Sequence, residues 1–348
     1  MIHEFKIFSL LSLFLTVILS LCSCKEDATE KKPVRDIILT NPIIRESRPD
    51  PTVWYDGGVY YTVSTGLGSI YRSYDMVSWE KSGITVISNT DKEKMKGYAS
   101  NFWAPDVAYV GGKWHMYMTL YNSAQDSGIG VLVQDEKSKT FIFQSRITWS
   151  RETGIKDSID PEVLQDPSTG KTWLFFGSVG GIHRVELDAS GEKLKAGAQY
   201  THVAGLDIDK DKSRSRVYEG CYLHRHGDWW YLFASAGRYD DSSYRIVVGR
   251  SASLEGEFKD REGRKMTEGY ATEVLSSEAS DRFYGPGHNG EIFTDSTGQD
   301  YIYYHCHDKT MTTAGNRAVF LQRIYWDAEG WPYMETGKPL KEETAPKL

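Results

Sequence analysis

Three acidic residues stand at the start of similar short segments, and side chains of this type carry out acid–base chemistry. Asp50 and Asp160 each precede a proline, and Glu219 precedes a glycine. Two carboxyl groups in opposite protonation states can cleave a glycosidic bond, one as general acid and one as the base that activates water. For any one of these residues alone, the alternative is a turn residue that makes an Asx-type hydrogen bond at a strand start. Three acids at matching places favour the chemical role.

The segments that carry these acids belong to a fivefold internal repeat. Each copy has a polar residue near Pro or Gly, a short apolar strand, a glycine-containing turn and an aromatic-rich strand. The five copies open at Asp50, Asp106, Asp160, Glu219 and His288. Short strands between Gly and Asp turns predict hairpins, and their radial repetition predicts an all-β, five-bladed β-propeller with four-stranded antiparallel blades. We therefore expect the five opening residues to converge on a pocket at the central axis.

An axis lined by carboxyl groups provides what an inverting glycosidase needs. Such an enzyme keeps its two carboxyl groups about 6.5–9.5 Å apart to leave room for water, and opposite sides of a propeller axis supply that gap. Repulsion from a third carboxylate keeps the acid protonated near neutral pH. We expect Asp160 to stay ionised beside Glu219 and to take this supporting role.

The first residues of the chain predict export rather than folded structure. Residues 1–23 contain a basic residue and then a mostly apolar run of about fifteen residues, which is typical of a signal peptide and short for a membrane span. The run ends in Leu-Cys-Ser-Cys, which resembles a bacterial lipobox with Cys24 as the lipidated residue. Residues 24–35 are polar and are interpreted as a flexible tether, with the propeller over residues 36–348. Acidic residues just after Cys24 resemble a surface-export signal, so we expect an outer-membrane lipoprotein that faces the cell surface or the periplasm.

The composition and net charge limit the classes of binding partner that the protein can have. The 348 residues carry a net charge of −7 without a basic cluster, which argues against a nucleic-acid partner. We expect a monomer that meets a membrane only through its lipid anchor. Beyond the cysteines of the lipobox only Cys221 and Cys306 remain, and they either pair in an oxidising compartment or are two buried thiols.

From about Arg35 to its end, the chain resembles glycoside hydrolase family 43, especially its arabinanase-like members. The matching motifs are Arg48-Pro49-Asp50-Pro51, Phe102-Trp103-Ala104-Pro105-Asp106-Val107, Ser158-Ile159-Asp160-Pro161, Tyr218-Glu219-Gly220, Val248-Gly249-Arg250-Ser251, Gly285-Pro286-Gly287-His288-Asn289 and Trp326-Asp327-Ala328-Glu329-Gly330-Trp331-Pro332. The resemblance implies a propeller hydrolase that inverts the anomeric carbon. It implies that Asp50 is the general base, that Asp160 holds and tunes the acid, and that Glu219 is the general acid.

The same resemblance suggests further site residues, each with an ordinary structural alternative. His288 would lie beneath the sugar and touch a water-coordinated cation, usually Ca²⁺, or else be a hydrogen-bonded buried histidine. Trp103 is a sugar-stacking platform or a core tryptophan, and Asp106 contacts a sugar hydroxyl or supports its loop. Ser178 matches a substrate-contacting serine. His305 and a second histidine two residues later share one face of a strand, which is weak evidence for zinc.

The expected substrate is plant cell-wall polysaccharide, above all α-1,5-linked arabinan cleaved in the manner of an endo-acting arabinosidase. Gly220-Cys221 follows the fourth-blade acid where many arabinanases carry Ala-Pro. This difference keeps an exo-acting α-L-arabinofuranosidase or a xylan-directed β-xylosidase open as the alternative. A non-catalytic surface propeller that only binds glycans, or one that binds proteins, is the competing class.

Overall fold

The computed structural model describes residues 36–312 and 316–348. One compact unit extends from Ile37 to Leu348. The expected signal peptide, Cys24 and the tether lie outside the described residues. Within the described ranges, no helix is long and apolar enough to cross a membrane.

Five antiparallel sheets follow one another along the chain. Blade 1 contains β2 (Thr52–Asp56), β3 (Val59–Val63), β4 (Tyr71–Ser73) and β5 (Glu80–Lys81). Blade 2 contains β6 (Asn101–Val110), β7 (Lys113–Ser123), β8 (Asp126–Gln134) and β9 (Phe141–Trp149). Blade 3 contains β10 (Glu162–Gln165), β11 (Thr172–Phe176), β12 (Ile182–Leu187) and β13 (Thr201–Ala204). Each strand pairs with the next one in the chain, as local hairpins require.

The last two blades complete the propeller and confirm the predicted fold. Blade 4 contains β14 (Tyr218–His226), β15 (Trp229–Ala236), β16 (Arg245–Ser251) and β17 (Thr272–Leu275). Blade 5 contains β18 (Phe283–Gly287), β19 (Ile292–Thr294), β20 (Asp300–Asp308), β21 (Arg317–Trp326) and β22 (Pro332–Tyr333). Both β18 and β19 pair with β20, so together they form one interrupted innermost strand. The blades are therefore four strands wide, as predicted.

In the part of the chain that the structure describes, helices are minor, and the first and last strands pair with each other outside the blades. The helices are α1 (Asn89–Lys96), α2 (Ser150–Thr153) and a 3₁₀ turn (Met266–Glu268). The first strand, β1 (Ile38–Thr40), pairs antiparallel with the last, β23 (Glu342–Thr344). The Asn41 side chain adds two hydrogen bonds to the backbone of Leu321, at 2.9 and 3.0 Å. Every blade is thus built from one continuous segment, and the chain ends are joined beside blade 5.

The hydrophobic core is divided into five clusters, one for each junction between neighbouring blades. Trp54 and Met116 lie in the cluster between blades 1 and 2, where the Trp54 ring meets Phe141 edge-on at 6.1 Å. The other clusters fill the junctions of blades 2 and 3, 3 and 4, 4 and 5, and 5 and 1. Both faces of the central strands are covered, which explains the aromatic-rich second strand of each repeat.

A ring of side-chain hydrogen bonds closes the propeller at its axis. One side chain from each innermost strand accepts a hydrogen bond from a backbone N–H of the next blade. The pairs are Thr52 with Val107 (3.2 Å), Asp106 with Val163 (2.8 Å), Glu162 with Leu223 (3.4 Å), Tyr222 with Ile292 (3.2 Å) and Glu291 with Val53. We call the five acceptors, Thr52, Asp106, Glu162, Tyr222 and Glu291, the axial ring.

A second set of five residues, one per blade, has left-handed backbone conformation. The set consists of Asp50 (φ 56°), Ala104 (φ 40°), Asp160 (φ 56°), Gly220 (φ 56°) and His288 (φ 44°). In blades 1 to 4 each of these residues stands two positions before the axial-ring acceptor of its blade. A positive φ is costly for a residue with a Cβ and turns the side chain away from the direction of the following strand. We call this set the left-handed set.

Candidate active site

Three members of the left-handed set, Asp50, Asp160 and His288, line one open cavity of about 400 Å³ together with residues near them. Its walls are formed by Asp50, Thr65, Trp103, Tyr121, Asp157, Ile159, Asp160, Ser178, Arg214, Glu219, Tyr239, Tyr244, His288 and Arg317. The cavity brings together six of the seven residues predicted for the catalytic and binding site. A concave site that gathers several carboxyl groups is the expected form of an active site.

Asp50 is buried and surrounded by hydrogen-bond donors and positive charge. Thr65 Oγ1 donates to Asp50 Oδ2 at 2.5 Å, and an Arg317 guanidinium nitrogen donates to Oδ1 at 3.2 Å. His288 Nδ1 and His305 Nδ1 each lie 3.3 Å from Oδ1. Burial alone would raise the pKa of Asp50, but His288 and Arg317, with a contribution from His305, outweigh burial and hold that pKa well below its usual range. Asp50 is therefore ionised, as a general base must be.

Asp160 is also buried but lacks such compensation. Its backbone N–H donates to Thr119 Oγ1 at 2.9 Å, and its Oδ2 accepts one hydrogen bond from Gly220 N–H at 3.2 Å. Burial, followed by the negative charges of Glu219 and Asp50, raises the pKa of Asp160 well above its usual value. This direction opposes the expectation that Asp160 stays ionised, which remains a prediction. The negative charges of the two neighbouring carboxyl groups repel each other, which disfavours the state in which both are ionised.

Glu219 stands between Asp160 and two hydroxyl groups at the cavity wall. Ser178 Oγ donates to Glu219 Oε2 at 2.6 Å, and Tyr244 OH donates to Oε1 at 2.9 Å. The Tyr244 ring is fully buried and stacks on His305 with ring centroids 5.7 Å apart. The predicted Ser178 thus contacts the acid itself. Each carboxylate oxygen of Glu219 has a donor that fixes its orientation.

His288 lies beside two of the three acids, Asp50 and Asp160. Its Nδ1 is 3.3 Å from Asp50 Oδ1 and 3.9 Å from Asp160 Oδ2, and its backbone N–H donates to Ser235 Oγ at 2.7 Å. The imidazole leaves no room beside Gly220, where an added Cβ would lie 2.9 Å from His288 Cγ and Nδ1. Close approach therefore requires a glycine after Glu219 in this structure, which gives the Gly220-Cys221 departure a physical reason.

Aromatic side chains form one wall of the cavity. Trp103 stacks on Tyr121 with centroids 4.1 Å apart and an interplanar angle of 28°. On another part of the wall, the Arg317 guanidinium lies 5.0 Å above the Tyr239 ring. Trp103 faces the cavity rather than the core of a blade junction, in agreement with the platform interpretation. Apolar ring faces next to carboxyl groups suit the alternating apolar and polar surfaces of a sugar.

Asp106 does not reach the cavity, so its prediction as a substrate-binding residue is wrong. It belongs to the axial ring, where its Oδ2 accepts the hydrogen bond of Val163 N–H. Burial raises the pKa of Asp106 to about 7, and burial raises the pKa of Glu291 to about 8. Ala104 takes the left-handed place in blade 2 instead, and its methyl group carries no acid. The supporting role that the sequence also allowed for Asp106 agrees with this position.

The axis offers oxygen donors that suit a hard cation. The axial ring supplies the carboxyl groups of Asp106, Glu162 and Glu291, of which the first two are buried, and the Asn289 side-chain oxygen is buried without a hydrogen-bond partner. Ca²⁺ prefers such oxygen ligands, and water can complete its shell. The donor types present therefore fit the cation that was expected near His288.

Two further expectations concerned cysteine and histidine residues. Cys221 and Cys306 are both buried and free, so the buried-thiol alternative applies and no disulfide forms between them. His305 stacks on Tyr244 and supports Asp50, and His307 is hydrogen bonded through both ring nitrogens. These contacts account for both histidines without zinc.

Several residues of the cavity were not predicted from the sequence. Among them, Asp157 has one buried oxygen without a hydrogen-bond partner, and burial followed by the charge of Glu219 raises its pKa to about 6. Tyr244, Tyr239 and Arg317 contact the acids or the aromatic wall from outside the repeat openings. Of these residues, Asp157 is the one that the sequence could have indicated as a site residue, because it lies three residues before Asp160.

Comparison with known proteins agrees with this geometry. The profile described as "Glycosyl hydrolases family 43" matches residues 39–332. The chain belongs to glycosyl hydrolase family 43. Family 43 enzymes invert the anomeric carbon, so the protein is an inverting glycoside hydrolase and the predicted enzyme class is confirmed.

Individual family 43 relatives cover most of the chain. The extracellular exo-α-(1→5)-L-arabinofuranosidase ArbA of Cellvibrio japonicus is 29% identical, over 82% of this chain and 86% of the relative. The arabinan endo-1,5-α-L-arabinosidase A of Aspergillus aculeatus is 32% identical, over 79% and 86%. The solved α-L-arabinanase of Cellvibrio cellulosa complexed with arabinohexaose superposes with a TM-score of 0.72 at 26% identity, covering 84% of this chain and 96% of that one.

Proposed function

We propose that this family 43 protein hydrolyses α-1,5-linked arabinan with inversion of the anomeric carbon. The observation that carries the proposal is the single cavity in which Asp50, Asp160 and Glu219 meet beside the Trp103 platform. The names of relatives in two kingdoms, one exo-acting and one endo-acting, support arabinan as the substrate. The chain length of the products then decides between the two modes of action.

Asp50 acts as the general base in this scheme. Its low pKa, set by His288 and Arg317 against the effect of burial, keeps it ionised and able to accept a proton from water. Thr65 holds one carboxylate oxygen at 2.5 Å, so the other oxygen, Oδ1, faces the positive groups and the cavity. The activated water attacks the anomeric carbon from the face opposite the leaving group, which inverts its configuration.

Glu219 delivers the proton to the leaving oxygen. Glu219 is partly exposed at the cavity whereas Asp160 is buried, so Glu219 is the acid that can reach the leaving oxygen. Ser178 and Tyr244 orient the two oxygens of Glu219 through their hydroxyl groups. As Glu219 loses its proton, these two donors stabilise the new negative charge. Asp160 acts by charge repulsion, which opposes the ionisation of both acids before the reaction.

The test is a substrate screen with matched variants. Wild-type protein should release sugar from debranched and sugar-beet arabinan, and release much less from xylan. Asp50→Asn and Glu219→Gln should lower kcat on arabinan by about 10²–10⁴-fold while arabinan binding persists. Asp295→Asn is the control, because Asp295 is equally buried but lies in a turn of blade 5 far from the cavity.

The outcomes separate the classes of function. Binding of arabinan by wild-type protein without any release of sugar would favour the glycan-binding propeller and contradict the hydrolase proposal. Monomeric product from the first minutes indicates exo action, whereas a ladder of oligosaccharides indicates endo action. Activity confined to xylan would overturn the proposed substrate.

We also propose a Ca²⁺ ion, held through water by His288, at the axis. The oxygen donors of the axial ring and of Asn289 support this, and the ion would supply positive charge beneath the bound sugar. Metal analysis of purified protein should find one Ca²⁺ per chain, and chelation should lower the melting temperature. Protein that contains no Ca²⁺ and is unaffected by chelator would contradict this proposal.

Finally, we propose that the mature protein is a monomeric lipoprotein anchored through Cys24 in the outer membrane. The lipobox-like sequence supports the anchor. A bacterial lipoprotein carries several acyl chains, and more than one chain is needed for stable membrane residence. Cys24→Ser should release the protein from the membrane fraction, and light scattering of that soluble variant should give the monomer mass. Freely soluble wild-type protein would contradict the anchor.

A further inference from the structure

A second cluster of possible ligands lies away from the cavity, between blades 4 and 5. His224 and His226 are near the end of β14, whereas Glu219 at the beginning of the same strand lies in the cavity. Asp300 is the first residue of β20 in the neighbouring blade. A ligand atom of each of the three residues lies within 4.8 Å of those of the other two. Within the described ranges this is the one such group of three His, Cys, Asp or Glu residues.

The geometry of the two histidines suits shared ligation. Residues two apart on a strand point to the same side, so both rings face blade 5. His226 Nδ1 lies 3.9 Å from Asp300 Oδ2. The rings of His224 and His226 stack on Trp326 at 5.7 and 3.8 Å, and neither ring makes a hydrogen bond in the described structure. The nitrogen lone pairs are therefore not committed to protein partners.

Asp300 is oriented by its own partners, as a metal-binding carboxylate usually is. Thr294 Oγ1 donates to Asp300 Oδ1 at 2.5 Å, and Trp326 Nε1 donates to Oδ2 at 2.7 Å. Both oxygens keep a further lone pair, and the carboxylate is buried. Supporting hydrogen bonds of this kind fix ligand orientation at metal centres.

We propose that His224, His226 and Asp300 form a Zn²⁺ site that joins blades 4 and 5. Two imidazoles and one carboxylate are ligands that Zn²⁺ accepts, with water in the remaining position. Tetrahedral Zn²⁺ with bonds of about 2.0–2.1 Å places its ligand atoms about 3.3 Å apart. The 3.9 Å separation of His226 Nδ1 and Asp300 Oδ2 must therefore shorten by about 0.6 Å when Zn²⁺ binds. The site lies at the opposite end of β14 from the cavity, so its role is to stabilise the junction.

The ordinary alternative is that His226 is only an aromatic neighbour of Trp326. Their rings are nearly parallel, at 9°, and such stacking needs no metal. The two possibilities differ in what they predict for Zn²⁺ binding, for Thr294 and for the melting temperature.

The experiment titrates ZnCl₂ into the tag-free protein by calorimetry and repeats the titration with three variants. His226→Ala should lose one Zn²⁺ equivalent relative to wild type. Thr294→Val, which removes only a hydrogen bond to Asp300, should weaken that equivalent by about tenfold. His202→Gln is the control, because His202 is an exposed histidine of blade 3 whose Nε2 is hydrogen bonded to backbone carbonyls. It should bind as wild type does.

Thermal unfolding supplies the second measurement. Zn²⁺ should raise the melting temperature of wild-type protein and of His202→Gln, but not that of His226→Ala. Hydrolytic activity measured without Zn²⁺ should be the same for wild type and His226→Ala, which separates this proposal from the catalytic one. An unchanged Zn²⁺ stoichiometry in His226→Ala, or no Zn²⁺ binding by wild type, would overturn the site.

Discussion

The axial ring allows a quantitative test through Thr52→Val. The Thr52 hydroxyl accepts from Val107 N–H at 3.2 Å and donates to Glu291 Oε1 at 2.8 Å. Valine keeps the shape but can do neither, so a buried N–H of blade 2 loses its acceptor. Thr52 does not line the cavity. The substitution should therefore reduce stability without changing the chemistry.

The magnitude follows from the two lost interactions. A buried donor left without a partner costs about 1–3 kcal/mol, and the lost bond to Glu291 adds about 0.5–1.5 kcal/mol. We use the range for a hydrogen bond between neutral groups, because burial raises the pKa of Glu291 to about 8 and leaves this carboxyl group mostly uncharged at pH 7. The free energy of unfolding should fall by about 1.5–4.5 kcal/mol. For a unit of roughly 310 residues, this lowers the melting temperature by about 2–7 °C.

The matched control is Thr62→Val in the neighbouring strand. Thr62 is also fully buried, but its hydroxyl has no hydrogen-bond partner. Replacing it should leave the melting temperature unchanged or raise it slightly, because an unsatisfied polar atom is removed. Both variants are measured by calorimetry and urea unfolding, with activity assayed below the transition. Equal melting temperatures for the two variants would refute the idea that the ring stabilises the propeller.

Three further predictions concern the cavity. Glu219→Ala should lower kcat/KM on arabinan by about 10²–10⁴-fold but on an aryl arabinofuranoside much less, since an aryl leaving group needs little protonation. Asp50→Ala should lower kcat/KM on both substrates. The same pattern of losses on the two substrates for both variants would contradict the assigned roles. The pKa of Asp157 is raised to about 6, so the folded state keeps this proton longer than the unfolded chain, and stability falls as the pH rises from about 4 to about 6. Asp157→Asn should remove this loss, so the free energy of unfolding of the variant relative to wild type should be up to about 3 kcal/mol higher at pH 7 than at pH 4, as measured by urea unfolding. Stability–pH curves of variant and wild type that run parallel would refute this prediction. Gly220→Ala should displace the His288 ring and reduce kcat, as measured by steady-state kinetics. A variant whose kcat equals that of wild type would show that the position of the imidazole does not affect turnover.

The sequence predicted the propeller because the fold is made of local units. Each hairpin is specified by its own turn and strand pattern, and the same pattern occurs five times. The wrong prediction for Asp106 came from aligning the five repeats on their acidic residues. Matching the prolines instead places Pro51, Pro105 and Pro161 in register, and Ala104 then takes the left-handed position. Backbone conformation, not the charge of the side chain, defines the equivalent places.

The remaining site residues could not be predicted because their partners are remote in the sequence. Arg317 bonds Asp50 across 267 residues, and Tyr244 approaches Glu219 from the loop between β15 and β16. The spacing of residues along the chain does not predict these contacts, because they form only when the blades close into a ring. The raised pKa of Asp160 could not be predicted for the same reason, since it depends on burial and on the neighbouring charges of Glu219 and Asp50.

The left-handed set also has a consequence for protein engineering. All five of its members share one backbone geometry, yet they carry an acid, a methyl group, a second acid, no side chain and an imidazole. Ala104 is the member whose side chain is too short to act, and its N–H is already fixed by Thr65 Oγ1 at 2.7 Å. Ala104 follows Trp103, which lines the cavity, so a longer side chain at this position would test whether blade 2 can contribute a further group to the site. New specificity could thus be introduced one blade at a time, on a scaffold whose closure depends on other residues.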